Sequence, residues 1–424
     1  MTAPKLQAFP RLRAAVGAAL SLCACASMAQ LPEPAGSGFR ISGFGTLGVV
    51  HADAPAGWGF LRDVNQPANS GGTRADIDSR LGVQINYAPS AQVELVGQVI
   101  AARRAPSAKA SDALEWAFAA YRPTDALTLR GGRLNVDQFL MSDYRNVGFA
   151  YLFARPPVEF YSVVPTSLDG ADAAWTWNTG GAQWRAKVFS GSSKSYGIQF
   201  RPLVGLVVSR QADGLLLRAG LTRSQIGSSP ASLQPLLDGL GSLSALPVAD
   251  VAAQAAALRT RLDFAGGHAQ FATMGMSYEH ENWQWAAELM RVSGQASLNF
   301  VGGYVGLGRR FGPVTVFGLA SGIKSLAQPA ETPAWGAALA PVLGPANAQQ
   351  AQLLGEAGAF AANRIGVNQR SLSLGVRWDV QPQIALKVQW DHVRIGTNGS
   401  LLWANGTLNS GRADVGTVVL DFVF

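Results

Sequence analysis

The chain has 424 residues, of which 48% are hydrophobic, 14% are charged and 48 are glycine, and its formal net charge is +7. A soluble protein of this length usually divides into two or three domains, whereas a membrane β-barrel holds the whole length in one closed sheet. The hydrophobic content argues against disorder, and the mild positive charge, without a run of Lys and Arg, argues against a nucleic-acid-binding protein.

The first 29 residues predict an export signal that is cleaved off. Three basic residues open the chain, an apolar run covers 14–26, and small residues at 27–29 suit a signal peptidase. The apolar run is about half the length that a membrane-spanning helix needs. We therefore expect residues 1–29 to direct export through the general secretory pathway, and residues 30–424 to form a single β-barrel domain.

Both cysteines of the chain, Cys23 and Cys25, lie within this predicted signal. Cleavage after Ala29 would leave no cysteine, and so no disulfide, catalytic thiol or thiolate metal site. The sequence leaves open a second interpretation, in which Leu22–Cys25 is a lipoprotein cleavage site and Cys25 carries the lipid.

After the predicted signal, the chain is a series of segments about ten residues long in which polar and apolar residues alternate. In the segment 79–87, Leu81 and Val83 would point one way, and Arg80 and Gln84 the other. Alternation with a period of two indicates β-strands with one apolar face. The fold class predicted by this pattern is all-β.

The connections between these segments alternate strictly in length. Seven tight turns alternate with connections that are mostly much longer. The tight turns fall at 88–90, 122–125, 178–181, 211–213, 281–282, 311–313 and 380–382. The other connections fall at 51–78, 102–112, 136–170, 190–202, 224–266, 325–369 and 395–412, with one short exception at 294–297. This arrangement predicts a transmembrane antiparallel barrel of about 16 strands, with short periplasmic turns and long extracellular loops.

Two of the long connections, 224–266 and 325–369, are rich in alanine and too apolar for freely solvated loops. We expect each of them to contain a short helix. The sequence leaves open whether these segments pack on each other, plug the mouth of the barrel or support a neighbour in a trimer.

The end of the chain resembles the last strand of the general Gram-negative porin family. Leu420, Phe422 and Phe424 share one face, and the final residue is aromatic. The first strand at 41–48 and the opening of the second strand at 78–82 resemble the same family. The resemblance implies a homotrimeric channel in the outer membrane, in contact with membrane lipid and lipopolysaccharide. It also implies that the β-barrel assembly machinery recognises the terminal strand, with Phe422 and Phe424 as its signal.

In this family the connection between the fifth and sixth strands folds inward and narrows the lumen. Counted along this chain, that connection is 136–170, and its charged residues Asp137, Asp143, Arg155 and Glu159 are the expected pore constriction. Alternation also places charged residues of both signs on the inward faces of the strands, where they could orient permeating solutes or pair with one another. The expected wall residues are Arg80, Glu94, Glu115, Arg130, Arg185, Lys187, Arg218, Arg377 and Lys387.

Signals of catalysis are weak. The chain has four histidines and no nucleophile motif, and Asp391–His392 is the best candidate for a catalytic pair. Neither a metal-ligand cluster nor a phosphate-binding loop appears, so we expect no metal and no cofactor. The leading hypothesis is a water-filled channel for passive diffusion of small hydrophilic solutes and ions. A channel specific for organic acids or sugars, a barrel with a blocked lumen and a membrane hydrolase are the alternatives.

Overall fold

The structure is a computed structural model, and it describes residues 38–104, 110–195, 197–294 and 298–424. The predicted signal at 1–29 lies outside the described residues. The short connection predicted at 294–297 lies within them only at Gly294.

Sixteen long strands form one closed antiparallel sheet. In chain order they are β1 Gly38–Asp53, β2 Arg80–Ala88, β3 Val93–Ala102, β4 Leu114–Tyr121, β5 Leu127–Asn135, β6 Ser167–Thr179, β7 Ala182–Ser195, β8 Ile198–Ala212, β9 Leu215–Ser228, β10 His268–His280, β11 Trp283–Gly294, β12 Phe300–Phe311, β13 Val314–Ser325, β14 Val367–Gln381, β15 Ile384–Ser400 and β16 Gly411–Val423. Each strand pairs with the next, and β1 pairs with β16 from Phe44↔Val423 to Asp53↔Asp414. This last pairing closes the barrel, and the predicted sixteen-stranded antiparallel fold is confirmed.

The described residues also include three short strands, of which Gly72–Arg74 belongs to the same sheet as the barrel wall. Gly72–Arg74 pairs with the end of β1, while Gly59–Phe60 pairs with Trp403–Ala404. The second pairing ties the connection after β1 to the connection after β15.

The seven predicted tight turns all occur, and they lie together at one end of the barrel. Between β6 and β7 the turn consists of Gly180 and Gly181, whose φ angles are 58° and 71°. Two successive residues with positive φ match the twist of the flanking strands, and glycine adopts that conformation without strain. The residue types in the turns therefore predicted correctly which neighbouring strands form hairpins.

At the other end, most of the long connections are shorter than predicted because the strands extend further, and the long connection predicted at 190–202 is wrong, since strand continues to Ser195 and resumes at Ile198. β6 begins at Ser167, so the connection that follows β5 covers 136–166 and not 136–170. The residues that belong to the strand instead of the loop include Asp169, a charged residue that we expected to lie in the loop. In the barrel, its carboxylate forms an ion pair with Arg133 of β5 at 2.7 Å. This cross-strand pair allows a charged residue to lie within a strand.

The outward face of the sheet is apolar. In β9, Leu217 and Leu221 point outward and are 41% and 64% exposed, whereas Arg218 and Thr222 point inward and are buried. The same alternation recurs around the barrel, so large apolar side chains form a continuous outer belt. A soluble protein does not expose so large an apolar surface, and a belt of this kind is suited to lipid.

The described residues include five helices, all in the connections: α1 Val158–Tyr161, α2 Gln234–Ser244, α3 Ala249–Leu262, α4 Gly336–Leu343 and α5 Pro345–Arg364. Short 3-10 turns occur at Ala110–Ala113, Gly148–Ala150 and Ala231–Leu233. Among the helices that the structure describes, none has both the length and the apolar character needed to span a membrane.

Helices α2 to α5, which we call the helical cap, come from the two alanine-rich connections. Each connection contains two helices where we expected one, and the four share an apolar core separate from that of the barrel. Trp335 is buried in this core, and its indole N–H donates a hydrogen bond to Gln254 at 2.9 Å. Of the arrangements that the sequence left open, the structure shows these segments packed on each other.

Candidate functional site

The connection 136–166, which we call the inward loop, folds into the interior of the barrel. Its aromatic residues pack edge to face, with the ring centroids of Phe139 and Phe160 5.1 Å apart. Phe160 also packs against Tyr304 of β12 at 5.4 Å, and Phe153 packs against Phe317 of β13 at 5.6 Å. The loop and the inward face of the wall therefore share one buried apolar cluster.

Asp137 holds the start of the inward loop to two strands. Its carboxylate forms ion pairs with Lys187 of β7 and Arg218 of β9, and all three side chains are buried. Arg218 also donates a hydrogen bond to the main-chain oxygen of Asp137 at 2.9 Å. Burial opposes ionisation of the carboxyl, but the charges of Arg218 and Lys187 prevail and hold the pKa of Asp137 well below its usual range.

Arg155 joins the middle of the inward loop to the opposite part of the wall. Its guanidinium lies 2.7 Å from the carboxylate of Asp78 and 3.1 Å from that of Asp391, and it also donates to the hydroxyl of Thr417. Its positive charge lies over the ring of Phe60, 4.8 Å from the centroid. Arg155 is thus a buried cation between two buried carboxylates.

Glu159, in α1, makes a third polar attachment. Its carboxylate accepts hydrogen bonds from the side chains of Ser321, Gln369 and Ser371, at 2.8 Å from Ser321 and 2.6 Å from Gln369. Glu159 is only 1% exposed. It is a buried carboxylate whose partners are neutral donors of β13 and β14.

These positions correct the expectation that Asp137, Arg155 and Glu159 line the constriction. All three are buried between loop and wall, so they hold the loop in place and do not face water. The reason is that each finds several partners on the strands, which compensates for the loss of hydration. Asp143 differs, because it is half-buried and accepts a hydrogen bond from Asn135.

Several predicted wall residues do point inward, where they bind the main chain of the loop. Lys387 donates to the carbonyl oxygens of Gly148 and Phe153 at 2.5 and 2.9 Å and forms an ion pair with Asp421 at 2.9 Å. Arg377 donates to two further carbonyls of the loop, with distances of 2.8 and 3.0 Å. These cations compensate for carbonyl groups that an irregular segment inside a barrel would otherwise leave unpaired.

The remaining wall residues are placed as follows. Arg130 pairs with Asp172 of β6, and Arg185 lies close enough to Asp137 to act on its charge. Glu94 accepts hydrogen bonds from Asn86 at 2.6 Å and Arg122 at 2.9 Å, near the tight-turn end. Arg130 and Glu94 are therefore paired across neighbouring strands, whereas Arg185 is half-buried and acts on Asp137 through its charge.

Glu115 reaches the lumen through an irregularity of β4. Gln98 pairs with Trp116, but the next residue, Val99, pairs with Leu114, so Glu115 has no partner in the register. A bulge of this kind turns a side chain to the other face of the sheet. The carboxylate of Glu115 accepts a hydrogen bond from Asn146 of the inward loop at 3.1 Å.

Gly148 lies where the inward loop crosses the first and last strands. A Cβ atom at this position would lie 2.6 Å from Cγ of Asp421 and 2.7 Å from Oγ1 of Thr46. Both side chains are buried and are hydrogen-bonded to each other at 2.6 Å. Only glycine allows so close an approach.

We therefore expect Gly148→Ala to displace the inward loop and to lower the free energy of unfolding by about 1–3 kcal/mol, the usual effect of overpacking. Gly97→Ala is the matched control, because nothing lies within 4 Å of a Cβ atom there. Thermal unfolding of the two variants measures the difference. Equal stabilities would show that the contact between Gly148 and Asp421 is not tight.

Beyond the inward loop, toward the long-loop end, lies a cavity of about 1160 Å³, which we call the vestibule. Eight basic side chains but only four acidic ones line it. The basic residues are Arg62, Arg80, Arg103, Arg104, Arg133, Arg145, Lys194 and Arg364, and the acidic residues are Asp63, Asp112, Glu115 and Asp169. The aqueous space inside the barrel is therefore bordered by an excess of positive charge.

At the floor of the vestibule, the tip of the inward loop contacts β2 and β4. Arg80 donates a hydrogen bond to the side-chain oxygen of Asn146 at 3.3 Å, and Arg62 donates to the main-chain oxygen of Arg145 at 3.1 Å. The guanidinium of Arg145 lies 3.8 Å from the carboxylate of Glu115. The tip of the inward loop thus brings three arginines together at this floor, and Arg145 is the one that approaches Glu115. Of this group, sequence reasoning identified only Arg80 and Glu115, because loop residues show no alternation that would reveal their direction.

The structure does not bring the candidate catalytic pair together. Asp391 points inward to Arg155, whereas the ring of His392 lies 3.1 Å from Asp414 and contacts Trp390. Adjacent residues of a strand point to opposite faces, which explains the separation. Within the described residues, no group of three or more His, Cys, Asp or Glu is placed to hold a metal ion.

The chain has the fold of the Gram-negative outer-membrane porins. The anion-selective porin from Comamonas acidovorans is 12% identical, with 92% of this chain and 100% of that chain covered and a TM-score of 0.52. The outer membrane channel DcaP of Acinetobacter baumannii is 11% identical, with 92% and 98% covered and a TM-score of 0.50. No protein-family model matches the sequence, and no curated protein matches it. The similarity predicted from the terminal strands is confirmed at the level of the fold.

Proposed function

We propose that this chain forms a water-filled channel through the outer membrane, for passive diffusion of small hydrophilic solutes and ions. The observation that carries the proposal is the contrast between the two faces of the barrel. Its outer belt is apolar and suited to lipid, while its interior carries charged residues and opens into the vestibule. We propose no catalytic role and no cofactor.

The orientation and assembly of the channel follow from the same proposal. The tight turns would face the periplasm, and the helical cap would lie outside the cell, close to lipopolysaccharide. We propose that the chain is exported through the general secretory pathway after loss of residues 1–29 and that it assembles as a homotrimer.

Phe422 and Phe424 remain the proposed signal for the β-barrel assembly machinery. Their rings cover Gly45 and Gly43 of β1, which have no side chains of their own. The main chains of Gly43 and Phe424 also exchange hydrogen bonds of 2.8 and 2.9 Å. These contacts lie where β16 pairs with β1. The assembly machinery would first bind the terminal strand, which would then pair with β1 and close the sheet.

Planar-bilayer recordings test the channel. We expect the purified protein to give stable, ohmic conductance steps, because a polar interior conducts ions across the apolar belt. Liposome swelling with sugars and organic acids of matched size then separates a general channel from a specific one. If no conductance steps appear over the physiological voltage range, the lumen is blocked and the proposal is wrong.

A further inference from the structure

We propose that the vestibule is a binding site for organic anions that carry an apolar body, such as aromatic carboxylates. One side of the vestibule would bind the carboxylate through arginine side chains, and the other would contact the apolar body. This inference deepens the proposed channel function by naming the class of solute that the outer half of the lumen selects.

The basic side of the vestibule lies near β2 to β4. Arg62, Arg80 and Arg145 converge at its floor, and Arg104 follows β3. The guanidinium groups of Arg80 and Arg104 donate to neutral oxygen atoms, the former to Asn146 and the latter to the carbonyl of Ile100 at 2.8 Å. Their positive charges are therefore not neutralised by these contacts. A guanidinium group has further donors in a planar fork that suits a carboxylate.

The carboxylates of Glu115 and Asp78 offset the charges of these arginines only in part. Glu115 accepts a hydrogen bond from Asn146, and its distance of 3.8 Å from Arg145 is long for an ion pair. Arg62 reaches a second carboxylate, that of Asp78, at 3.4 Å, but Asp78 is bound more closely by Arg155. An incoming anion would therefore find arginine donors that the carboxylates of the protein only partly satisfy.

The apolar side comes from the other half of the barrel. Leu233 precedes α2, Leu298 precedes β12, Ile365 follows α5 and Leu401 follows β15, and all four are half-buried in the lining. Phe360 of α5 belongs to the same lining and is 50% exposed. An exposed aromatic ring on the helical cap gives an apolar body a flat surface to pack against.

The two sides face each other because of the strand order. In a closed barrel of sixteen consecutive strands, β3 lies opposite β11. Most of the arginines are grouped around β3, and the apolar residues are spread over the region from β9 to β15, whose middle is near β12, the neighbour of β11. The vestibule thus has a predominantly basic side and a predominantly apolar side, with Arg364 of α5 as a basic residue on the apolar side. A small inorganic anion would use only the first, and a neutral apolar molecule only the second.

Three related probes test the proposal. Phenylacetate carries both the aromatic ring and the negative charge, acetate lacks the ring, and 2-phenylethanol lacks the charge. Binding is measured by saturation-transfer NMR titration of the folded protein in detergent, with a detergent-only blank. We expect phenylacetate to bind about tenfold more tightly than either of the others, because only it combines a charged hydrogen bond with ring burial.

Two variants separate the contribution of the aromatic ring to binding from that of the carboxylate. Phe360→Ser should weaken phenylacetate binding about fivefold and leave acetate unchanged, because only the ring loses its contact. The double variant Arg104→Gln/Arg145→Gln should weaken phenylacetate and acetate alike. The matched controls are Leu353→Ser, which is 57% exposed on the same helix, and Arg259→Gln on α3, neither of which lines the vestibule.

The proposal is overturned if acetate or 2-phenylethanol binds as tightly as phenylacetate, or if the controls have the same effect as the vestibule variants. The binding assay does not require conduction. Binding without conductance would therefore disprove the proposed channel and leave the site intact, whereas conductance without binding would disprove only the site.

Discussion

Replacing Arg155 with alanine is expected to release the inward loop from the wall while the barrel stays folded. The substitution leaves the carboxylates of Asp78 and Asp391 buried and without their shared cation. Removing one partner of a buried ion pair costs about 3–5 kcal/mol, and here one cation serves two anions. The sheet itself loses no main-chain hydrogen bond, so the cost falls on the attachment of the loop.

Two measurements detect the released loop. The equilibrium between the attached and the released loop shifts by the same free energy, about 3–5 kcal/mol. Trypsin cleavage at Arg145 in the released loop should therefore accelerate about a hundredfold or more. Single-channel conductance should rise, because a released loop no longer narrows the middle of the barrel. Arg74→Ala is the matched control, because its ion pair with Asp76 is more exposed and contributes about 1 kcal/mol or less. Unchanged cleavage and conductance in Arg155→Ala would mean that the apolar contacts alone hold the loop.

The fold could be read from the sequence because its determinants are local. Period-two alternation gave the strands, and the composition of the turns gave their pairing. Each of these signals is contained in about ten neighbouring residues. The boundaries failed where a charged residue such as Asp169 finds a partner on the adjacent strand, since polarity alone cannot distinguish a paired charge from a solvated one.

Local sequence patterns predicted the inward loop but not the contacts of its side chains. Its place between β5 and β6 was predicted, but its acidic residues were expected to face water. Asp137 is separated from Lys187 by 50 residues and from Arg218 by 81, and no pattern in the sequence links them. Alternation places both cations on the inward faces of their strands, but it does not say how deep the loop descends. The contact therefore depends on a three-dimensional register that one sequence does not contain.

The helical cap shows an intermediate case. Alanine content predicted helices in both long connections, because alanine has the highest helix propensity, although both connections also contain proline and glycine. It could not predict that the two connections share a core, since small residues leave many packing partners possible. Trp335 is buried in that shared core beside several leucines, and its contact with Gln254 of the other connection helps to fix how the two segments meet.

Neutralising Asp137 is expected to have the second large effect. Asp137→Asn leaves Lys187 and Arg218 buried as like charges, without the anion that offsets their loss of hydration. We expect a loss of about 3–5 kcal/mol in the attachment of the inward loop, and with it a higher single-channel conductance. Asp250→Asn is the control, because Asp250 is exposed on α3, far along the chain from the loop.

The pH dependence of wild-type conductance gives an independent check on the ion pairs that Asp137 forms with Lys187 and Arg218. The pKa of Asp137 in the folded protein lies well below its usual range, despite burial, because of Arg218 and Lys187. A carboxylate with a lowered pKa stabilises the folded state above its unfolded pKa of about 3.9, and this contribution is lost only as the pH falls through the lower, folded value. The ion pairs of Asp137 should therefore cause no change in wild-type conductance from pH 7 to about pH 4 and a rise only in stronger acid. Asp137→Asn should show the higher conductance throughout. A wild-type rise centred near the ordinary pKa of an aspartate would contradict the ion pairs as the attachment of the loop.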